Sequence, residues 1–262
     1  MQKYSLHVHK LPAEVDEREL AGGTVIVIDL LRATTTICQA LASGAREVVP
    51  FREIDETLAA AAKAGRDQVV LGGERGGKRI EGFDLGNSPA EYTPEAVGGR
   101  RVFITTTNGT QALYHARLAR RVVVGAIVNL SAVVASVNDE PRMDILCAGT
   151  GGQETRDDIL AAGAMVDRLC EAPAADWHLN DAALAARDEW RQLLNAARTA
   201  GRSTIQQLTL ELRNTLGGHN LLEVGNENDL PDCAAIDRLN IAPELDAPNW
   251  RITVRYSGKP PR

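Results

Sequence analysis

The chain has 262 residues, 44% of them hydrophobic and 24% charged, the balance of a globular protein able to bury one large domain or two smaller ones. A net charge of −6 and a pI near 5.5 exclude the broad basic footprint of nucleic-acid binding, but not a small anion held by a local cluster. No stretch approaches a membrane span, MQKYSLHVHKLPAEVDE lacks signal-peptide features, and Cys38, Cys147, Cys170 and Cys233 form no CxxC pair, which fits a reduced, cytoplasmic protein without zinc or disulfides.

Short β-branched runs then recur in chain order, each leading through a polar turn into a helical pattern. TVIVID (24–29) passes through LLRATT into TICQALASGA, and EVVPF (47–51) precedes the alanine-rich IDETLAAAAKAG. QVVLGG (68–73) enters the glycine-rich LGGERGGKRIEGFDLGNSP (71–89). RVFITTT (101–107) leads through Asn108-Gly109 into TQALYHARLA, and RVVVGAIV precedes a helical run over 130–137. MDILCAG (143–149) passes through TGGQETRDD into ILAAGAMVDRLC. From about 173 to 223 the strand signal gives way to amphipathic helices, and WRITVRYSG alternates like an edge strand.

Continuous apolar strands alternating with helices predict an α/β fold, with mostly parallel sheets and helices on both faces. IDLLRATTTICQALASGAREVV and FITTTNGTQALYHARLARRVVV echo one another in a threonine triplet, a Gln-Ala-Leu and a valine strand. That echo predicts two related lobes, 1–95 and 96–262, joined near AEYTPEAVGG, with the helical region in the second.

Ligands of open α/β sheets bind beyond the carboxyl ends of the strands. Four polar turns fall there: Asp29–Thr36, Gly72–Ser88, Thr105–Thr110 and Ala148–Asp158. One such turn alone is ordinary capping chemistry. Four together, with Arg32, Arg75 and Arg79 among them, point to an anion site, because helix N-termini and guanidinium groups both favour negative charge. Thr106, Thr107, Asn108 and Gly109, with Gly149, Thr150 and Gly151, offer backbone and side-chain donors. Asp29 closes its strand at the cleft rim, Glu81 and Asp84 lie in the glycine-rich stretch, and Asp157 and Asp158 open a helix, where acids ordinarily serve the dipole. Carboxylates beside arginines at an anion site predict Mg2+, a hard cation held by oxygens and bridged to phosphate.

Generic signatures fail. Gly72, Gly77 and Lys78 have Walker A spacing, but Arg79 stands where the magnesium-binding hydroxyl belongs. Asp29-Leu30-Leu31 is not the D-x-D of a phosphoaspartyl enzyme, and Gln153 replaces the arginine of a cysteine phosphatase after Cys147. Cys147 is a formal nucleophile beside a helix start, though small buried cysteines are commonly structural.

Taken together, VIDLLRATTTI, LGGERGGKRIEGFDLGNSPAE, TTTNGTQAL and CAGTGGQETRDDILAAG resemble the Mg2+-dependent 2-phosphosulfolactate phosphatases, in family order over roughly 25–245, with a weaker match in GHNLLEVGNENDLPDCAAIDRLNIAPEL. The resemblance implies a phosphoric monoester hydrolase of coenzyme M biosynthesis, converting (2R)-O-phospho-3-sulfolactate to 3-sulfolactate and phosphate. It carries function onto Asp29, Arg32, Glu74, Arg75, Asp84, Asn108, Asp157 and Asp158. Where the family reads closer to S-L-E-D, this chain has Thr155-Arg156-Asp157-Asp158, which shortens one candidate ligand. The combined expectation assigns catalysis to Asp29, Arg32, Arg75 and Asp158, and the metal to Asp29, Asp84, Asp157 and Asp158. It assigns the substrate to Arg32, Glu74, Arg75 and the donors of the third and fourth turns, and leaves room for a homo-oligomer. Lys78 and Arg79 are expected at the solvated rim. The rival is a non-catalytic protein that binds a phosphorylated metabolite, which magnesium dependence separates.

Overall fold

The computed structural model describes residues 4–171 and 177–254. The first elements are β1 (Tyr4–His9), β2 (Thr24–Ile28), α1 (Ala33–Ala42), β3 (Glu47–Phe51), α2 (Ile54–Ala64), β4 (Val69–Arg75) and β5 (Lys78–Arg79). Next come α3 (Pro94–Val97), β6 (Arg101–Thr105), α4 (Gly109–His115), β7 (Arg121–Gly125), α5 (Leu130–Val137), β8 (Arg142–Cys147) and α6 (Arg156–Cys170). The last are β9 (Trp177–Leu179), α7 (Asp181–Thr199), α8 (Thr204–Arg213), α9 (Leu216–Glu223), α10 (Asp229–Cys233), β10 (Pro243–Asp246) and β11 (Arg251–Val254).

The strands form one sheet in the order β5-β4-β6-β3-β11-β10-β7-β2-β8-β1-β9. The fold is α/β with a mostly parallel sheet. β4, β6 and β3 are parallel to each other, as are β7, β2, β8, β1 and β9. Every residue of β2 is buried, as a central strand covered on both faces requires, and its unbroken TVIVI run follows from that. Each such Val or Ile contributes about 1.5–3 kcal/mol of burial. A smaller core of Val49, Val69, Leu71 and Phe103 lies against Ala61 of α2.

Outward from the antiparallel β10–β11 hairpin, the order reads β3, β6, β4 on one side and β7, β2, β8 on the other. The echoing segments are β2-α1-β3 and β6-α4-β7, and in each the first strand lies across the hairpin from the second. β6, which follows residue 95, therefore sits between β3 and β4, which precede it.

Three details depart from expectation. The alternating segment near the C-terminus is not an edge: β11 pairs with β3 and β10 in mid-sheet, and Trp250 Nε1 donates to the Pro50 carbonyl at 2.6 Å. Residues 255–258 of that segment lie outside the described residues. A short strand, β9, interrupts the expected helical region and pairs with β1, itself unforeseen.

Candidate active site

The four polar turns converge on one cavity of about 260 Å3. Asp29 and Arg32 come from the turn after β2, Glu74 and Gly77 from β4 and the turn after it, Thr107 and Asn108 from the turn after β6, and Thr150 and Gly151 from that after β8. Gly217 and Asn220 of α9 complete the wall.

A closed ring of polar clamps holds these turns together. Arg32 Nη2 donates to the Gly77 carbonyl at 3.1 Å, tying the first turn to the second. Glu74 accepts from Thr107 N at 2.7 Å and Thr107 Oγ1 at 3.1 Å, tying the second to the third, and also from Gly77 N at 2.7 Å. Asn108 Oδ1 accepts from Gly151 N at 3.1 Å, tying the third to the fourth. Asp158 closes the ring, accepting from Leu30 N at 2.8 Å and Gly149 N at 2.9 Å. Charge-assisted bonds to backbone amides are the stronger kind, so these clamps fix the loops that shape the cavity.

Two carboxylates are left with free capacity. Asp29 Oδ1 accepts from Ala33 N at 3.1 Å, which starts α1. Asp157 Oδ1 is enclosed without a hydrogen-bond partner. Burial pushes Asp29 up to about 7; the Ala33 amide opposes this, the charges of Glu74 and Asp157 add to it, and Arg32 works against it. Burial likewise pushes Asp157 up to about 6. Asp158 is raised by burial first, then by Asp157 and Asp29. Such acids favour a nearby cation, because anything that neutralises them relieves both burial and repulsion.

Two glycines make room for this pair. A Cβ at Gly109 would lie 2.7 Å from Asp29 Oδ2, and one at Gly217 would lie 2.8 Å from Asp157 Oδ2. Only glycine lets the starts of α4 and α9 approach so closely.

Other expected residues stand elsewhere. Asp84 is not brought to the cavity: its carboxylate accepts from Arg66 at 2.8 Å and from Leu71 N, back along β4. Burial raises its pKa, but those partners outweigh it and leave the group below the usual carboxylate range. Arg75 turns to the Arg52 carbonyl and Thr105 Oγ1 and does not line the cavity. Thr106 exchanges hydrogen bonds with Thr110, and Gly149 serves through its amide to Asp158. Lys78 and Arg79 are exposed.

Cys147 ends β8 with no exposed surface, and burial, followed by the nearby Asp158 and Asp157, pushes its thiol well above the usual value. A thiol enclosed and held neutral there suits a packing role better than a nucleophilic one. Cys147→Ser is expected to keep kcat/KM within about threefold while lowering Tm. An inactive but folded variant, by circular dichroism, would return chemistry to the sulfur.

Sequence reading missed Asp229 in α10. It accepts from Arg32 Nη1 at 2.6 Å and from Ser88 Oγ at 2.6 Å, both in buried surroundings. It placed α9 in the expected helical region but left it out of the site; the signal was Gly217-Gly218, a pair that disfavours a helix unless something packs close.

Among the described residues, no three His, Cys, Asp or Glu side chains converge as a metal cage. Mg2+ does not require one, since it takes one or two carboxylates and fills its remaining positions with water and phosphate oxygens. The unpartnered Asp157 Oδ1 and the adjacent Asp29 fit that mode of binding.

A family model described as 2-phosphosulpholactate phosphatase matches residues 9–248. The chain is 36% identical to a protein of Caldanaerobacter subterraneus subsp. tengcongensis named "Probable 2-phosphosulfolactate phosphatase", over 92% of this chain and 95% of that one. It is 40% identical to a protein of the same name from Symbiobacterium thermophilum, over 88% and 93%. A third, from Synechococcus sp. (strain RCC307), is 39% identical over 90% and 94%.

Proposed function

Because the chain belongs to the 2-phosphosulpholactate phosphatase family, we propose that it is a Mg2+-dependent phosphatase that hydrolyses 2-phosphosulfolactate to sulfolactate and inorganic phosphate. The observation that carries the metal requirement is the pair of buried carboxylates, Asp29 lining the cavity and Asp157 packed against Gly217 of its wall, both raised by burial. A multiply charged anion would be repelled by those acids alone. A Mg2+ held there would neutralise them and would supply Lewis-acid polarisation of the phosphoryl group.

The chain's own residues do the rest. Asp29 and Asp157 would hold the metal. Arg32, fixed by Asp229, meets anionic oxygens, and the Asn108 carboxamide and the loop carrying Thr150 and Gly151 border the same space. Glu74 and Asp158 are positioning residues, since their oxygens accept backbone amides from neighbouring turns. Net hydrolysis breaks the ester P–O bond and adds water, leaving a hydroxyl on the acid and inorganic phosphate. Preorganised donors around a cavity stabilise developing charge far better than water does.

The test is phosphate release from a panel of phosphorylated hydroxy acids, with and without Mg2+. Release from 2-phosphosulfolactate ahead of phospholactate, and only with Mg2+, is the expected result. Tight binding with no release under any condition would instead favour the non-catalytic binding protein.

A further inference from the structure

One buried polar side chain in the cavity is left without a task. Asn87, in the stretch between β5 and α3, is 5% exposed and lines the cavity together with Arg32. Its backbone carbonyl accepts from Thr36 Oγ1 at 2.8 Å. Its Oδ1, however, is enclosed without a partner, and among the described residues no hydrogen bond engages Nδ2. An entering anion cannot reach the enclosed Oδ1, but the unengaged Nδ2 of a side chain that lines the cavity is a donor open to one. With Oδ1 enclosed, Nδ2 is the end that faces the cavity.

The neighbouring residues define what would enter. Asp229 joins Arg32 to Ser88, the neighbour of Asn87, so Asn87 and Arg32, which both line the cavity, are held together as one wall. Asp229 balances the Arg32 charge, and the wall presents N–H donors with little net charge. A phosphate dianion belongs with the cation at Asp29 and Asp157. A singly charged sulfonate or carboxylate, its charge spread over two or three oxygens, suits a paired guanidinium and a carboxamide.

We propose that Asn87 and Arg32 form a subsite for the non-transferred anionic group of the substrate, a sulfonate or carboxylate, with Asn87 Nδ2 donating to one of its oxygens. The identity of that ligand rests on the phosphatase reading. Asp229 is a positioning residue that holds Arg32 in this wall.

Calorimetry on the full chain with Mg2+, using 3-sulfolactate, lactate and inorganic phosphate, tests the subsite without requiring turnover. Asn87→Ala is expected to weaken 3-sulfolactate about tenfold or more while leaving phosphate within about twofold. Asn87→Asp, nearly isosteric, keeps the fold and weakens 3-sulfolactate further by placing a like charge against it. Loss of lactate binding as well assigns the carboxylate; retained lactate binding assigns the sulfonate. Equal losses for 3-sulfolactate and phosphate, unchanged 3-sulfolactate binding in both variants, or a wild-type chain that binds no 3-sulfolactate would each overturn the subsite. Failure of the wild type to release phosphate would sink the phosphatase reading alone, because the binding contrast is read independently.

Discussion

Asp29→Asn is expected to lower kcat/KM for 2-phosphosulfolactate at least ~100-fold, about 2.7 kcal/mol of transition-state stabilisation. The substitution keeps the side chain's size and the oxygen that accepts the Ala33 amide, so the start of α1 survives. What it removes is the charge that would hold the metal. It also removes a buried carboxylate that burial and the charges of Glu74 and Asp157 push up to about 7, against the Ala33 amide and Arg32. Stability near pH 8 should therefore hold or rise, and an unchanged or higher Tm beside lost activity would separate a chemical role from unfolding. Activity within a few-fold of wild type would return Asp29 to an ordinary strand-end residue.

Exhaustive chelation with EDTA is expected to abolish phosphate release, with Mg2+ restoring it; full activity after chelation would end the metal proposal. The chelated protein should also show a pH signature. Burial raises Asp29 to about 7 and Asp157 to about 6, both above the 3.8 of a free carboxyl. Between about pH 4 and 7 the metal-free native chain thus binds more protons than the unfolded one, and its stability falls as pH rises through that window. The acids whose pKa is lowered, Glu17, Asp84, Glu211 and Asp246 among them, act below it. His7, lowered chiefly by burial, opposes the trend from one site. Scanning calorimetry in EDTA should give a Tm at pH 8 at least ~3 °C below that at pH 5.5, with the gap narrowed by Mg2+ and in Asp29→Asn. A flat or rising Tm would mean that these carboxylates are not strained by burial.

The parallel strands were legible because a strand covered on both faces must be apolar at every position, as TVIVI is. The four turns were legible because polar, glycine-rich residues followed each run, and the cavity does draw on all four. Roles were less legible than membership. Asp29 and Asp158 look alike in sequence, yet both oxygens of Asp158 accept amides, from Leu30 and Gly149, 128 and 9 residues away. That Asp84 stands apart from the cavity was not legible, because acidity within a glycine-rich stretch says nothing about its partner, which is Arg66. Asp229 was invisible because its contact with Arg32 spans 197 residues and leaves no local pattern. β11 imitated an edge strand because its exposed Arg251 lies near Glu47 and Asp246, polar company within an interior position.

The central hairpin has a consequence for how the chain is made. β10 and β11 stand between β3 and β7, yet in chain order they follow every other strand. During synthesis, the two flanking strands emerge with one rim each unzipped, and nothing upstream in the sequence caps those rims. Until residues 243–254 leave the ribosome, the nascent protein carries two open β-rims, the surface on which stray chains associate. A message cut short before that point yields a polypeptide with nearly all of the loops that line the cavity and a sheet split through its middle, a product suited to chaperones and proteases rather than to catalysis.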